Sequence, residues 1–340
     1  MHQHLETDDN TAVLTDALQR LGLLEPHQDA HWIPLAGGVS SDIWRVEWPG
    51  TTLCVKRARP KLAVAAEWLA PVERNSSEVA WLELAHGICP GSVPRVLGHC
   101  PELHLFVMEY IDPKQSPVWK NELAAGRVDE DFAARLGGVL GEIHAETAEC
   151  PGLADRFGTD EMFASLRISP YLEATALVHP ELAPRLDALA QRTTSTKLAL
   201  VHGDISPKNV LVGPDEPVIL DAECAWYGDP AFDVAFCLTH LLLKCRWVTA
   251  ERKRLLRSFD AFAAAHALHV NWEPARELEA RVATLLPALL LARVDGKSPV
   301  EYLTHEDDRN SVREVARELL MDRHDELAVV REIWRRSLSR

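Results

Sequence analysis

The sequence predicts a two-lobed α+β fold, with a small β-rich lobe carrying one helix ahead of a larger helical lobe. Three observations predict it. Strand-like segments crowd the first third of the chain, and apolar positions recur at helical spacing after Asp112-Pro113. Within the helical part, three short apolar runs enclose a dense set of polar side chains. The junction is expected near Glu109–Asp112, giving lobes of residues 1–112 and 113–340.

In the first lobe, "HWIPLAGG" leads into "DIWRVEW", a Pro49–Gly50 turn follows, and "TTLCVKR" returns, the last two runs alternating at period two. "SSEVAWLELAH" has helical spacing, and "PRVLGH" and "LHLFVMEYI" read as strands, so the order is β-β-β-α-β-β: a five-stranded sheet with one inserted helix. In the second lobe "DEDFAARLGGVLGEIHAET", "PAFDVAFCLTHLLLK", "ERKRLLRSFDAFAAAHAL" and "PARELEARVATLLPALLLARV" carry helical apolar stripes. Only "KLALV", "NVLVG" and "PVILD" read there as strands, the last two joined through Pro214–Asp215–Glu216.

The 340 residues are 47% hydrophobic and 26% charged, an ordinary globular balance. A formal net charge of −15 argues against nucleic acid or an anionic membrane as partner. Seven cysteines without a C-x-x-C pair suit a reducing compartment, and no apolar run approaches a membrane span, so a soluble cytoplasmic protein is expected.

Phosphoryl transfer from ATP needs a backbone loop and a lysine on the phosphates, oxygen ligands for Mg²⁺, and a carboxylate to orient the acceptor hydroxyl. Each has a candidate here, in a workable order. "AGGVSSD" offers Gly37 and Gly38 for close backbone approach, with the Ser40 and Ser41 hydroxyls as donors, although two glycines before a strand also make an ordinary turn. Lys56 shares a strand face with Cys54, and a strand lysine acquires a function when a carboxylate meets it. Glu78 is the candidate partner, on one helical stripe with Trp81, Leu82 and Ala85; it also stands three residues after Asn75, the spacing of a capping box, so ion pair and cap both remain open.

The stretch "VHGDISPKNVLV" poses the sharpest question, because polar side chains crowd between two apolar runs. Asp204 and Asn209, five apart in a tight loop, can face one cavity, Asp204 toward an acceptor hydroxyl and Asn209 toward a metal. The hairpin returns Asp221 close to Asn209, Glu223 stands two residues on, and such oxygens suit Mg²⁺ held partly by phosphates. His202 has no zinc partners at ligand spacing and reads as an orienting hydrogen bonder.

"HGDISPKN" followed by "ILDAECAWYGDPAFDVA" resembles the aminoglycoside phosphotransferase and choline kinase superfamily, whose fold is protein-kinase-like. The resemblance runs over most of the chain, through phosphate loop, Lys56, Glu78, a hinge at "MEYI" (Glu109 and Ile111), catalytic loop and metal loop. It implies Asp204 as catalytic base, Asn209 and Asp221 as Mg²⁺ ligands, and Lys56 paired with Glu78 on the α/β-phosphates. It further implies a bracing role for Asp233 and a structural one for Asp229. The long link before Glu78 and the "DAE" motif are similar to methylthioribose kinases, from which the chain departs at Asn209, where those carry Ser, and at Arg293, preceded by Ala292 instead of a second arginine.

The function this implies is an ATP- and Mg²⁺-dependent kinase acting on a hydroxyl of a sugar, amino sugar or similar metabolite. Aminoglycoside or amino-alcohol kinases, a protein kinase and a catalytically dead nucleotide-binding module are the alternatives. Acceptor candidates are Lys208, which otherwise reads as solvated, and Arg293 and Asp295, which otherwise read as a polar helix end. His-Gly-Asp and Asp-Ala-Glu replace the protein-kinase motifs, and Asp221 and Asp233 stand only twelve apart, too close for an activation segment.

Overall fold

The computed structural model describes residues 2–35, 40–59 and 71–338, with side chains from Thr11 onward. Five antiparallel strands, β1 (His31–Pro34), β2 (Ser41–Trp48), β3 (Thr51–Ala58), β4 (Val96–Cys100) and β5 (Leu105–Glu109), form one sheet in the order β1-β2-β3-β5-β4. Lys56 lies on the central strand, in register with Ile43 on one side and Phe106 on the other.

Alternation along β3 decides which layer each side chain meets. Leu53 and Val55 face helix α1 (His2–Arg20), packing with Leu14, Ala17 and Leu18 and with Val46, Leu105 and Val107. The opposite face carries Lys56 toward α2 (Arg74–Ile88) and the second lobe. Helix α1 is a second helix on this sheet, beyond the one expected. Its buried apolar positions 14, 17 and 18 have helical spacing but span little more than one turn, and the residues before them are mostly polar.

The second lobe is helical, built on Glu130–Thr147, Ala231–Trp247, Arg252–Ala267, Ala275–Asp295 and Glu306–Met321. Helix Ala231–Trp247 is buried at every position through Arg246, so its apolar residues run all round it and its polar ones, Asp233, His240 and Lys244 among them, are buried as well. β7 (Val210–Val212) and β8 (Pro217–Ile219) form the expected hairpin, extended by the Leu220 N–H donating to the Asn209 carbonyl at 2.9 Å. β6 (Ala199–Val201) pairs instead with β9 (Trp226–Gly228), a strand of three residues too short to read in advance. All seven cysteines are free and six are buried. Among the described residues no helix is long and apolar enough to cross a membrane.

Candidate active site

The loop from β6 to β7 and the turn after β8 face one another because of the hairpin, and both face Lys56 on the sheet. The Lys56 ammonium donates to Glu78 at 2.7 Å and also to Asp221. Helix α2 begins at Arg74 with no side-chain cap, and the Asn75 amide makes no hydrogen bond, so Glu78 is an ion-pair partner and no part of a capping box. Burial alone would lower the Lys56 pKa, but Asp221 and Glu78 outweigh it and raise it. Burial would raise Asp221, yet Lys56 and Lys208 hold it well below the carboxylate range. Glu78 is left as the surplus carboxylate of the buried triad: burial pushes it up to about 7 against the pull of Lys56.

Asp221 itself adopts a left-handed backbone, φ 69°, uncommon for a residue with a side chain and concentrated at functional loops. Gly203 does so too, at φ 81°, and a Cβ there would stand 2.8 Å from Cys224 Cβ and its carbonyl oxygen. Glycine is therefore required where the two loops touch.

Asp204 is nearly buried, and its carboxylate is held by Arg167 and Lys208, each at 3.0 Å. Against burial, these two cations depress its pKa. His202 orients the loop: its Nδ1 accepts the Asp204 N–H at 3.1 Å, and its Nε2–H donates to the Leu220 carbonyl at 3.1 Å, tying the two loops together. Burial keeps this imidazole neutral, consistent with one donor and one acceptor nitrogen. Asp233, fully buried, accepts the N–H groups of His202 and Gly203, both at 2.7 Å. Asp229 caps the following helix through the Ala231 N–H and binds Arg281.

Asn209 donates its amide to the Asp204 carbonyl at 3.1 Å, which fixes its side chain with Oδ1 as the atom left for a cation. Glu223 is brought nearby, but its carboxylate is held by Arg74 Nε at 3.0 Å. Ser40 and Ser41 are buried where β2 begins, with the Ser40 carbonyl receiving Arg59 N–H and the Arg74 guanidinium. Gly37 and Gly38 lie outside the described residues. Glu109 ends β5 with its side chain on Arg95, and Ile111 follows, half-buried.

Lys208 thus meets Asp204 with its side chain still half exposed, whereas Arg293 is bonded to Tyr171 Oη at 3.2 Å and to Ser298. Asp295 is not brought to this group: Arg313 and His179 occupy its carboxylate, as befits an anchor at a helix end.

Sequence reading did not single out Arg167 or Arg74. Arg167 sits in a wide-turned helical segment, Ala164–Glu173, interrupted by Pro170, and besides Asp204 it bonds the Gly203 carbonyl. Arg74, buried under the sheet, links β2, β3 and Glu223. Neither stands in a recognisable spacing with its partners: Arg74 lies among the polar residues of "VERNSSE", and Arg167 opens "RISPYL", a segment whose signal is its nearness to Tyr171 alone.

A family model described as the phosphotransferase enzyme family matches residues 31–278. The chain is 29% identical over 225 residues to the methylthioribose kinase of Yersinia enterocolitica, covering 56% of this chain and 53% of that one. It therefore spans about half the length of the curated relatives it matches. Two solved structures share its architecture. An amicoumacin kinase in complex with AMP-PNP, Ca²⁺ and Ami superposes with a TM-score of 0.56 at 15% identity, over 96% of this chain and 98% of that one. A choline kinase from Cryptosporidium parvum gives 0.54 at 11% identity, over 92% and 96%. At these identities the likeness is one of fold, and that fold is the expected two-lobed, protein-kinase-like one.

Proposed function

The chain belongs to the phosphotransferase enzyme family, and from that premise we propose that it is an ATP- and Mg²⁺-dependent small-molecule kinase. It transfers the γ-phosphoryl group of ATP to a hydroxyl of a sugar, amino sugar or similar polyhydroxylated metabolite. The observation that carries this reading is the meeting of Asp204, Asn209 and Asp221 with the Lys56–Glu78 pair where the sheet faces the second lobe.

The donor set fits Mg²⁺. Asn209 Oδ1 and the Asp221 carboxylate are hard oxygens, and among the described residues no three His, Cys, Asp or Glu side chains converge on one point. Two protein oxygens completed by phosphates is the ordinary arrangement for this ion. When bound, Mg²⁺ neutralises the charge of the transferring phosphoryl group.

The chain's own residues do the rest. Lys56, fixed by Glu78, holds the phosphates, with the Ser40 and Ser41 hydroxyls at the start of β2 as further donors. Asp204 is ionised at neutral pH because Arg167 and Lys208 depress it, so it accepts a hydrogen bond from the acceptor hydroxyl and aims its oxygen at the γ-phosphorus. The oxygen–phosphorus bond forms as the bond to the β-phosphate bridging oxygen breaks, and the hydroxyl proton passes to Asp204. A carboxylate depressed in this way is a weak base, which suits a loose transition state in which the proton moves late.

The test is Mg²⁺-dependent ADP release over an acceptor panel of pentoses, thiosugars, amino sugars, aminoglycosides and choline, with Asp204→Ala as blank. A signal lost in the blank supports the kinase. A folded protein that does not bind MgATP overturns it.

A further inference from the structure

The helical wall next to Asp204 gathers positive charge with little to balance it. His240 and Lys244 lie one turn apart on the buried helix Ala231–Trp247. Arg293 comes from helix Ala275–Asp295, with Glu301 and Tyr302 following it in the chain. Lys120 comes from the segment whose backbone N–H donates to the Pro207 carbonyl at 2.8 Å, beside Lys208 in the loop that presents Asp204.

The Lys244 ammonium, on a side chain only 1% exposed, makes no hydrogen bond or ion pair among the described residues. It sits 3.6 Å from the centre of the Tyr302 ring and 4.2 Å from that of Trp247, and the two rings stack at 4.7 Å. Around it His240 Nε2, Arg293 Nε and Tyr302 Oη are all buried without a partner. Burial pushes Lys244 down to about 7, aided by the repulsion of Lys120 and opposed by Glu301. The charges of Arg293, Lys244, Lys208 and Lys120 also bear on the His240 ring, which burial already keeps neutral.

Aromatic faces return only part of what burying an ammonium costs. Lys208 is already held by Asp204, and among the described residues the carboxylate paired with Lys120 is that of Glu301, its side chain 62% exposed. A cluster of cations with orphaned donors, and one exposed carboxylate standing among them, is a receptor for anionic oxygens.

We propose that the acceptor is itself anionic, a polyol bearing a carboxylate or a phosphate ester besides the hydroxyl that is phosphorylated, and that Lys244 and Lys120 receive this anion in the place Glu301 now takes. This rests on the kinase reading and narrows it: cationic acceptors such as aminoglycosides and amino alcohols are repelled by the same wall.

The experiment uses the full chain with MgATP and matched acceptors: ribose, glucose and glycerol, each as the neutral alcohol, the carboxylic acid and the phosphate ester, with glucosamine and choline as cations. Anionic members are expected to show at least about tenfold higher kcat/KM than their neutral parents, the acid and ester arms telling the two sources apart. Lys244→Met keeps the stem packed between the rings and should raise KM for the anionic acceptor about tenfold, leaving KM for ATP within about twofold. Lys120→Met, at the rim, should do so more weakly.

Equal or better turnover of neutral or cationic acceptors overturns the proposal, as does an unchanged acceptor KM in Lys244→Met. Binding provides a readout without turnover: gluconate and glucose 6-phosphate should raise Tm in the native protein and less in Lys244→Met, and the absence of any such difference also overturns it. Binding of MgATP alone is measured in parallel. Its failure removes the kinase reading whatever the anions do.

Discussion

Arg167 pairs with Asp204 at 3.0 Å while its Nε donates to the Gly203 carbonyl, so one guanidinium holds both a carboxylate and the backbone that presents it. Arg167 is thus a positioning residue in the proposed mechanism, and Arg167→Met is expected to lower kcat by about 10², the cost of misplacing a reacting group by an ångström, with KM for ATP little changed. Removing one of the two cations that depress Asp204 must also raise its pKa, so the acid limb of the pH–rate profile should move to higher pH. A fall in kcat with an unmoved acid limb would mean that Arg167 serves the fold alone.

Asp233 accepts two backbone N–H groups at 2.7 Å in a site with no exposure. Its replacement by Asn removes the charge that makes those bonds strong and turns an N–H toward at least one donor. We expect Asp233→Asn to lose about 3 kcal/mol of stability, read from the denaturant midpoint at unchanged slope. Loss below about 0.5 kcal/mol would show that the loop is held by other means.

Much of this site was legible because its residues cluster in the chain. His202, Asp204 and Asn209 share one loop, and the short apolar runs on either side of Pro214–Glu216 bring Asp221 back to it, as the β7–β8 register shows. Lys56 and Glu78 were legible separately, each as a charge on an apolar face, but the choice between ion pair and cap needed the helix start at Arg74. Arg167 and Lys244 were not legible, since each meets partners from distant segments and an isolated charge in a helix normally reads as solvated. Asp295 was misread toward the acceptor for the same reason: its partners Arg313 and His179 come from elsewhere in the chain.

The closeness of Gly203 to Cys224 gives a sharper test of loop geometry than any charge reversal. Alanine there must adopt φ 81° and place its Cβ 2.8 Å from both Cys224 Cβ and a carbonyl oxygen that cannot rotate away. Left-handed strain alone costs about 1–2 kcal/mol, and the contact adds to it. Gly203→Ala is expected to lose at least about 2 kcal/mol of stability and most of its turnover. Gly203→Ala combined with Cys224→Gly removes the Cβ contact and should recover part of the stability but not all of it; full recovery would show that backbone strain contributes nothing.

The buried triad of Glu78, Lys56 and Asp221 carries two carboxylates against one ammonium, and the surplus charge falls on Glu78, raised by burial to about 7. An acid raised in this way binds its proton more tightly in the folded than in the unfolded chain. It therefore adds stability at pH values below its unfolded pKa of 4.5 that is progressively lost as pH rises to about 7, on the order of 3 kcal/mol in all. Glu78→Gln should lack that part of the slope, so the difference in stability between native protein and variant should vary with pH over this window and be flat above it. The same charge balance makes a second, independent forecast. A cation arriving at Asp221 offsets the surplus and lowers the Glu78 pKa, so Mg²⁺ binding at pH 6.5 should release protons. Calorimetry in buffers of different ionisation enthalpy measures that release directly. Proton uptake, or a release unchanged in Glu78→Gln, would show that the surplus charge of the triad lies elsewhere.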